Sequence, residues 1–406
     1  FKAYEFARSL GFEQVNVDLI SGMLEETEEN WRDTVRQAVE LSPDSVTIYQ
    51  MEIPFNTTIY RNMREEGKLT APVADWPTKR RWVDYAFNEL EEAAGAHLSQ
   101  LTGAEAAMVT GGCAAALTQT VAACMAGTDP DRIHQLPDTT GMRDEVIFQR
   151  AHHNPYDQSF RLAGAKLIEV DTHEEFRAAF NEKTCAIAHI MVYEPDAQVK
   201  LDEVLLMAKE RKVPVLIDAA AELPPAVNLT KYVAMGADAV MFSGGKGLRG
   251  PQASGLVLGK KWLIEATRLN ACPNHSVGRP MKAGKEEIVA LVRAVELYLE
   301  RDHDAYWKRW EDQIAHIVSS LSDLSHVETG AVPEEVMNHV PRVWLKWDES
   351  VVGLDVDGVL KQLSEGEPRI EMLVTDCGLT VSPNNLEPGE EVPIARRLHE
   401  ILKAKD

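Results

Sequence analysis

Two residues suited to covalent and acid–base chemistry stand 28 positions apart, each tied to a buried apolar run. Asp218 closes Val213-Pro-Val-Leu-Ile-Asp, and Lys246 follows Ala239-Val-Met-Phe in the turn Ser243-Gly-Gly-Lys-Gly. An acid ending a buried strand sits at the carboxyl edge of a sheet, where open α/β folds place their sites. A lysine just beyond the next strand can form a Schiff base, and desolvation would keep its amine partly neutral and nucleophilic. Taken singly, each has a plainer reading: Asp218 as a helix cap, Lys246 as a lysine in an exposed glycine turn.

Two further features fall in the same chain order. Thr110-Gly111-Gly112-Cys113-Ala ends a strand and opens a helix without charged residues. Its small residues let backbone N–H groups approach a phosphate, whose charge a helix N-terminus favours. Gln149-Arg150-Ala-His152-His153-Asn154-Pro-Tyr156-Asp157 follows the apolar run Val146–Gln149. Jointly these features suit pyridoxal 5'-phosphate (PLP). A carboxylate at Asp218 would keep the pyridine nitrogen protonated, so that the ring acts as an electron sink. Ala220 would lie against the ring face if the strand continues. The Ser243 hydroxyl would reach the phosphate, the His152 imidazole would stack on the ring, and Arg150 or Asn154 would bind substrate oxygens. The plainer reading of the histidines is a surface pair. A metal is not expected, because adjacent histidines rarely share one ion and no third ligand is spaced to help.

Two rival readings of the lysine loop fit poorly. Gly245-Lys-Gly-Leu-Arg-Gly250 matches the dinucleotide pattern G-x-G-x-x-G, but Pro251 and another strand follow where that motif needs a helix. A phosphate-binding P-loop needs glycine at 240 and Ser or Thr after the lysine, and neither is present.

The elements that must position these residues are short apolar runs alternating with helix-like stretches. The runs are Ala106–Thr110, Val146–Gln149, Lys166–Val170, Cys185–Tyr193, Val213–Asp218, Ala239–Ser243 and Gly255–Leu258. That alternation predicts an α/β fold with a mostly parallel sheet covered on both faces. Glu286–Glu300 carries an apolar stripe of helical period. Beyond it, strands at Arg342–Trp347 and Arg369–Val374 with helices at Asp357–Leu363 and Pro393–Lys403 predict a small α+β C-terminal domain. Residues 106–128 carry no charge and are long enough to span a bilayer, but their glycines, threonines, Gln119 and many alanines read better as a glycine turn opening a buried helix.

The net charge of −22, from 42 basic and 64 acidic residues, argues against a broad nucleic-acid-binding face. Five cysteines at irregular spacing, with no C-x-x-C pair, suggest neither a disulfide framework nor a cluster or zinc site, and fit a reducing cytoplasm. No membrane or signal segment is expected.

GAEAAMVTGG, HQLPDTTGMRDEVIFQRAHHNPYD, LAGAKLIEV, VLIDAAAELPP, MGADAVMFSGGKGLRGPQASGLVLG and GRPMK resemble the selenocysteine synthase-like family, on the branch of the D-glucosaminate-6-phosphate ammonia-lyases. The resemblance covers residues 96–406. It implies the PLP-dependent transferase fold type I and a homodimer or higher oligomer. It implies Lys246 as the Schiff-base lysine and Asp218 as the pyridinium partner. It places a phosphate cup at Gly111, Gly112, Cys113 and Ser243, and gives Arg279 and Lys282 of GRPMK as ligands for an anionic substrate. Residues 1–95 differ: NVDLISGML, ETEENWRDTV, SVTIYQMEIPFNTTIY and DWPTKRRWVDYAFNELE resemble a partial barrel of radical-SAM enzymes related to coproporphyrinogen oxidase. That chemistry needs three cluster cysteines, and no cysteine precedes residue 113.

Three parts are therefore expected: a radical-SAM-like segment (1–95), a PLP-binding large domain (96–300) and a small C-terminal domain (301–406). The expected activity is α,β-elimination with deamination of a small anionic amino acid or amino-sugar acid, such as D-glucosaminate 6-phosphate. The alternatives are β-replacement by a selenium transferase, or an inactive chimera or radical-SAM remnant.

Overall fold

The computed structural model describes residues 2–12, 14–53, 57–65, 74–332 and 340–403, in which helices and strands are interspersed. Contacts divide the chain into residues 1–221 with 229–299, and residues 222–228 with 300–406.

The first unit opens with α1 (Lys2–Ser9), β1 (Asn16–Ser21), α2 (Glu28–Leu41), β2 (Ser45–Gln50), α3 (Thr58–Glu65) and α4 (Trp76–Thr102). β1 and β2 pair in parallel, Asn16 opposite Ser45. Their inner face meets α2 and α4 in a small core of Leu19, Trp31, Val35, Ala38, Trp82 and Ala86. The Trp31 indole N–H donates to the Trp82 carbonyl at 2.8 Å, and the two rings stack with centroids 6.4 Å apart. α4 is 27 residues long, about 40 Å at 1.5 Å per residue. It starts at Asp75, whose carboxylate accepts from the Thr78 N–H, with Pro77 in the first turn.

Residue 95, where the sequence changes character, lies inside α4 and not in a linker. A Cβ on Gly95 would fall 2.4 Å from the Ala107 carbonyl oxygen and 2.5 Å from the Arg268 guanidinium. The glycine therefore marks a close helix–strand contact, and residues 1–95 cluster with the large sheet. The expected boundary at 95 thus falls inside one helix of the first unit.

Next come β3 (Ala106–Thr110), α5 (Cys113–Ala126), α6 (Pro130–Gln135), β4 (Glu145–Gln149), α7 (Gln158–Leu162), β5 (Lys166–Val170), α8 (His173–Ala178), β6 (Thr184–Ile190), α9 (Leu201–Arg211), β7 (Val215–Asp218), α10 (Asn228–Met235), β8 (Ala239–Ser243), β9 (Gly255–Gly259), α11 (Lys261–Leu269) and α12 (Lys285–Glu300). The strands form one seven-stranded sheet in the order β3-β9-β8-β7-β6-β4-β5. β9 runs antiparallel to both neighbours, and β8, β7, β6, β4 and β5 are mutually parallel. Every residue of β6 is buried, as a parallel strand covered on both faces requires. α5 lacks charge because nearly all of it is inside: Ala116, Leu117, Val121 and Ala122 pack with Met108, Val146, Leu216, Met241 and Val257 in the main core. Among the described residues no helix is long and apolar enough to cross a membrane.

The second unit contains α13 (His303–Ser320), β10 (Val327–Ala331), β11 (Val343–Trp347), α14 (Glu349–Val352), α15 (Val356–Ser364), β12 (Leu373–Thr375), β13 (Gly378–Val381) and α16 (Glu391–Leu402). Its antiparallel sheet has the order β10-β11-β13-β12. Ile317, Leu345, Val359, Leu363, Leu379 and Leu398 form the centre of its core. The strand expected at Arg369–Val374 is shorter, because Ile370 is buried and its N–H closes on the Leu363 carbonyl at the end of α15 instead of joining a ladder.

Candidate active site

β3, β7 and β8 all end at the same edge of the sheet, and that edge collects the chemistry. Gly112 precedes α5 with φ +129°, a conformation L side chains rarely adopt, and among the described residues no side chain caps the helix start. Its first-turn N–H groups are therefore available to an anion. Gly255 of β9 presses on this turn: a Cβ there would lie 2.6 Å from the Gly112 carbonyl carbon and 2.8 Å from the Cys113 nitrogen. Gly255 is the register partner of both Thr110 and Ser243, so Ser243 stands two strands from the α5 start. Gly111 faces the loop before α12; its Cβ would be 3.0 Å from the Met281 carbonyl oxygen.

Asp218 ends β7, 8% exposed. The Ala220 N–H donates to Asp218 Oδ1 at 2.9 Å, and the Cys113 thiol lies 3.6 Å from the same oxygen. Burial pushes the Asp218 carboxyl up from its ordinary value, opposed by the Ala220 N–H, the Lys246 charge and the Cys113 thiol. Burial also pushes the Cys113 thiol well up, helped by the Asp218 charge. Lys246 therefore stands near enough for its charge to act on both groups. It sits on a turn after β8 whose glycines are sterically required: a Cβ on Gly244 would be 2.0 Å from Ser254 Oγ.

Two expectations are corrected here. Lys246 is exposed, where a buried place is expected. β7 stops at Asp218 and the chain turns back on its carboxylate, so Ala220 is not carried to the ring face by strand alternation.

His152 is fully buried beyond β4, and its Nδ1 accepts from the Ile190 N–H at 3.3 Å. Ile190 is the register partner of Asp218, which brings His152 to the adjoining strand end. Burial holds its imidazole down to about 3, with His189 adding to the effect. Its Nε2 is buried and has no hydrogen-bond partner among the described residues. The His189 ring stands edge-on to it at 4.5 Å, and His189 pairs with Glu194 at 2.5 Å. Sequence reasoning did not single out His189 or Glu194, although a histidine inside the otherwise apolar run CAIAHI was a visible signal.

The four expected substrate ligands do not converge. Arg150 is exposed and paired with Asp171 at 2.7 Å and Glu169 at 3.5 Å, both at the edge strand β5, with β6 and β4 between that strand and β7. Asn154 is spent on its own turn, accepting from the Tyr156 N–H and donating to the His152 carbonyl. His153, next to it, pairs with Asp157 and Glu169. Arg279 donates to Cys272 Sγ at 3.2 Å, and the Lys282 ammonium lies over the Phe87 ring of α4 at 5.6 Å. Both therefore turn toward their own surroundings, although the backbone of their loop reaches Gly111. Among the described residues no three metal-ligating side chains cluster.

The donors present fit PLP: uncapped N–H groups and small residues where a phosphate needs backbone approach, a buried carboxylate for a protonated ring nitrogen, and an accessible lysine within its electrostatic reach.

The family model for L-seryl-tRNA selenium transferase (SelA) matches residues 89–309, more than half of the chain. A 5'-C-glycyluridine monooxygenase-decarboxylase of Streptomyces sp. is 30% identical over 330 residues, 77% of this chain and 81% of that protein. D-Glucosaminate-6-phosphate ammonia lyase of Salmonella typhimurium is 29% identical over 295 residues, 69% of this chain and 77% of the relative. A solved structure of D-glucosaminate-6-phosphate ammonia-lyase covers 98% of both chains with a TM-score of 0.67 at 25% identity. That likeness takes in the front segment, where it lends no support to the radical-SAM resemblance. The chain belongs to the L-seryl-tRNA selenium transferase family of PLP-dependent enzymes.

Proposed function

We propose that the protein is a PLP-dependent lyase that removes the amino group of a small anionic amino acid or amino-sugar acid, such as D-glucosaminate 6-phosphate, by α,β-elimination. The observation that carries this reading is the meeting of Asp218, Lys246 and the uncapped start of α5 at one sheet edge. The near full-length likeness to an ammonia-lyase supports it. When bound, PLP supplies an electron sink for the pair left at the substrate α-carbon. Asp218 holds the ring nitrogen protonated, and the α5 N–H groups with Ser243 hold the phosphate. Lys246 would hold the cofactor, and its Nζ would take the proton from the substrate α-carbon. Loss of the β-hydroxyl as water, followed by uptake of one water, yields a 2-oxo acid and ammonia.

Selenium transfer to a seryl group on tRNA is the second reading, favoured by the family match, while the net charge of −22 weighs against a tRNA partner. The working form is a homodimer or higher oligomer in the cytoplasm, where the five free cysteines would stay reduced. The test is release of ammonia and a 2-oxo acid from D-glucosaminate 6-phosphate by the PLP-loaded protein. Absence of release, with selenium incorporated into seryl-tRNA instead, would reverse the order of the two readings.

A further inference from the structure

We propose that Cys113 is a positioning residue for Asp218: its thiol donates to Oδ1, so that Oδ2 is the oxygen presented to the cofactor's ring nitrogen. This inference rests on the PLP reading above. Both hydrogen bonds to the carboxylate fall on Oδ1, one from the Ala220 N–H at 2.9 Å and one from Cys113 Sγ at 3.6 Å. Among the described residues Oδ2 takes none. The two donors come from different elements, the turn after β7 and the first residue of α5. This gives Cys113 a task other than lining the phosphate cup.

The thiol must stay protonated to donate. Burial and the neighbouring carboxylate push its ionisation well up, so it remains a donor across the ordinary pH range. A thiol is a weak donor, but an ionised acceptor strengthens the bond. The titratable groups acting on the Asp218 carboxyl are Lys246, from the turn after β8, and Cys113 itself. Removing the thiol takes away one of the influences that hold this carboxyl down. Its protonation should then begin at higher pH, and a protonated Asp218 no longer holds the ring nitrogen charged.

The experiment compares wild type, Cys113→Ala and Cys113→Ser. PLP affinity and the pH profile of the visible cofactor band are measured, and melting of the cofactor-free proteins is followed as a control on folding. Cys113→Ala should bind PLP roughly three- to tenfold more weakly and shift the acid limb of the band to higher pH, and the serine variant should recover part of both effects. An unchanged affinity and pH profile in Cys113→Ala would overturn the inference. So would a serine variant that folds as wild type but falls as far as alanine, since only packing would then be at stake. If wild type itself shows no cofactor band, the PLP reading fails, a result distinct from either of these.

Discussion

A methyl group on Gly95 would lie 2.4 Å from the carbonyl oxygen of Ala107, so α4 can rest on β3 only with glycine at that point. The same helix closes the Trp31–Trp82 core at its other end. It therefore ties the front strands to the large sheet.

Gly95→Ala should force helix and strand apart and destabilise the protein by about 1–3 kcal/mol, the usual cost of overpacking a close contact. Thermal melting checks this. An unchanged melting temperature would mean that α4 lies farther from β3 than described.

The lysine prediction is covalent. Borohydride should bleach the visible band of the PLP-loaded protein and leave the cofactor on the peptide containing Lys246. Lys246→Ala should lose that attachment and still bind PLP through its phosphate. Peptide mapping decides the matter, and an adduct on another lysine would remove Lys246 from the site.

Asp218→Asn should weaken PLP binding and lower turnover on the order of a hundredfold, because an amide cannot hold the ring nitrogen charged. Burial raises the Asp218 carboxyl, so its negative charge is present at high pH and is lost as pH falls through that raised value. The wild-type affinity for PLP should therefore decline on its acid side at a higher pH than an ordinary carboxylate would give. The asparagine variant should lack that limb. Titrations of PLP at several pH values read both effects.

Glu91 on α4 is 9% exposed, and burial pushes its carboxyl up to about 8, against the opposing charge of Arg268. Below its unfolded value of 4.5 the group is protonated in the folded and the unfolded chain alike and adds no pH dependence to stability. As pH rises from its unfolded value of 4.5 toward 8, the folded state holds a proton that the unfolded chain has released. This group's contribution to stability thus falls across that window, by on the order of a few kcal/mol in all. Glu91→Gln should melt at nearly the wild-type temperature near pH 5 and above it at pH 8. Melting curves at the two pH values suffice, and parallel losses in both proteins would show that Glu91 does not titrate in that range.

Neighbouring residues alone determined much of this protein. Most apolar runs of strand length, the charge-free stretch after Gly111-Gly112 and the apolar stripe of α12 appear within a few residues of where their local pattern sets them, because side-chain period and glycine sterics act over a few positions. The chain order of α5, β7 and β8 likewise puts Gly112, Asp218 and Lys246 at strand and helix ends, whatever the strand pairing. The tertiary structure decided what those patterns do not encode. Arg150 looks like a substrate ligand in its motif, yet the sheet order sets it beside Asp171 at the far edge strand. Gly95 looks like the start of a new domain and is instead the point where two backbones touch. Cys113 and Asp218 are 105 positions apart, and their contact exists only because α5 packs against the sheet that ends at Asp218. Which oxygen of Asp218 stays free depends on that long-range packing, since hydrogen-bond direction is set by atoms brought together from distant parts of the chain.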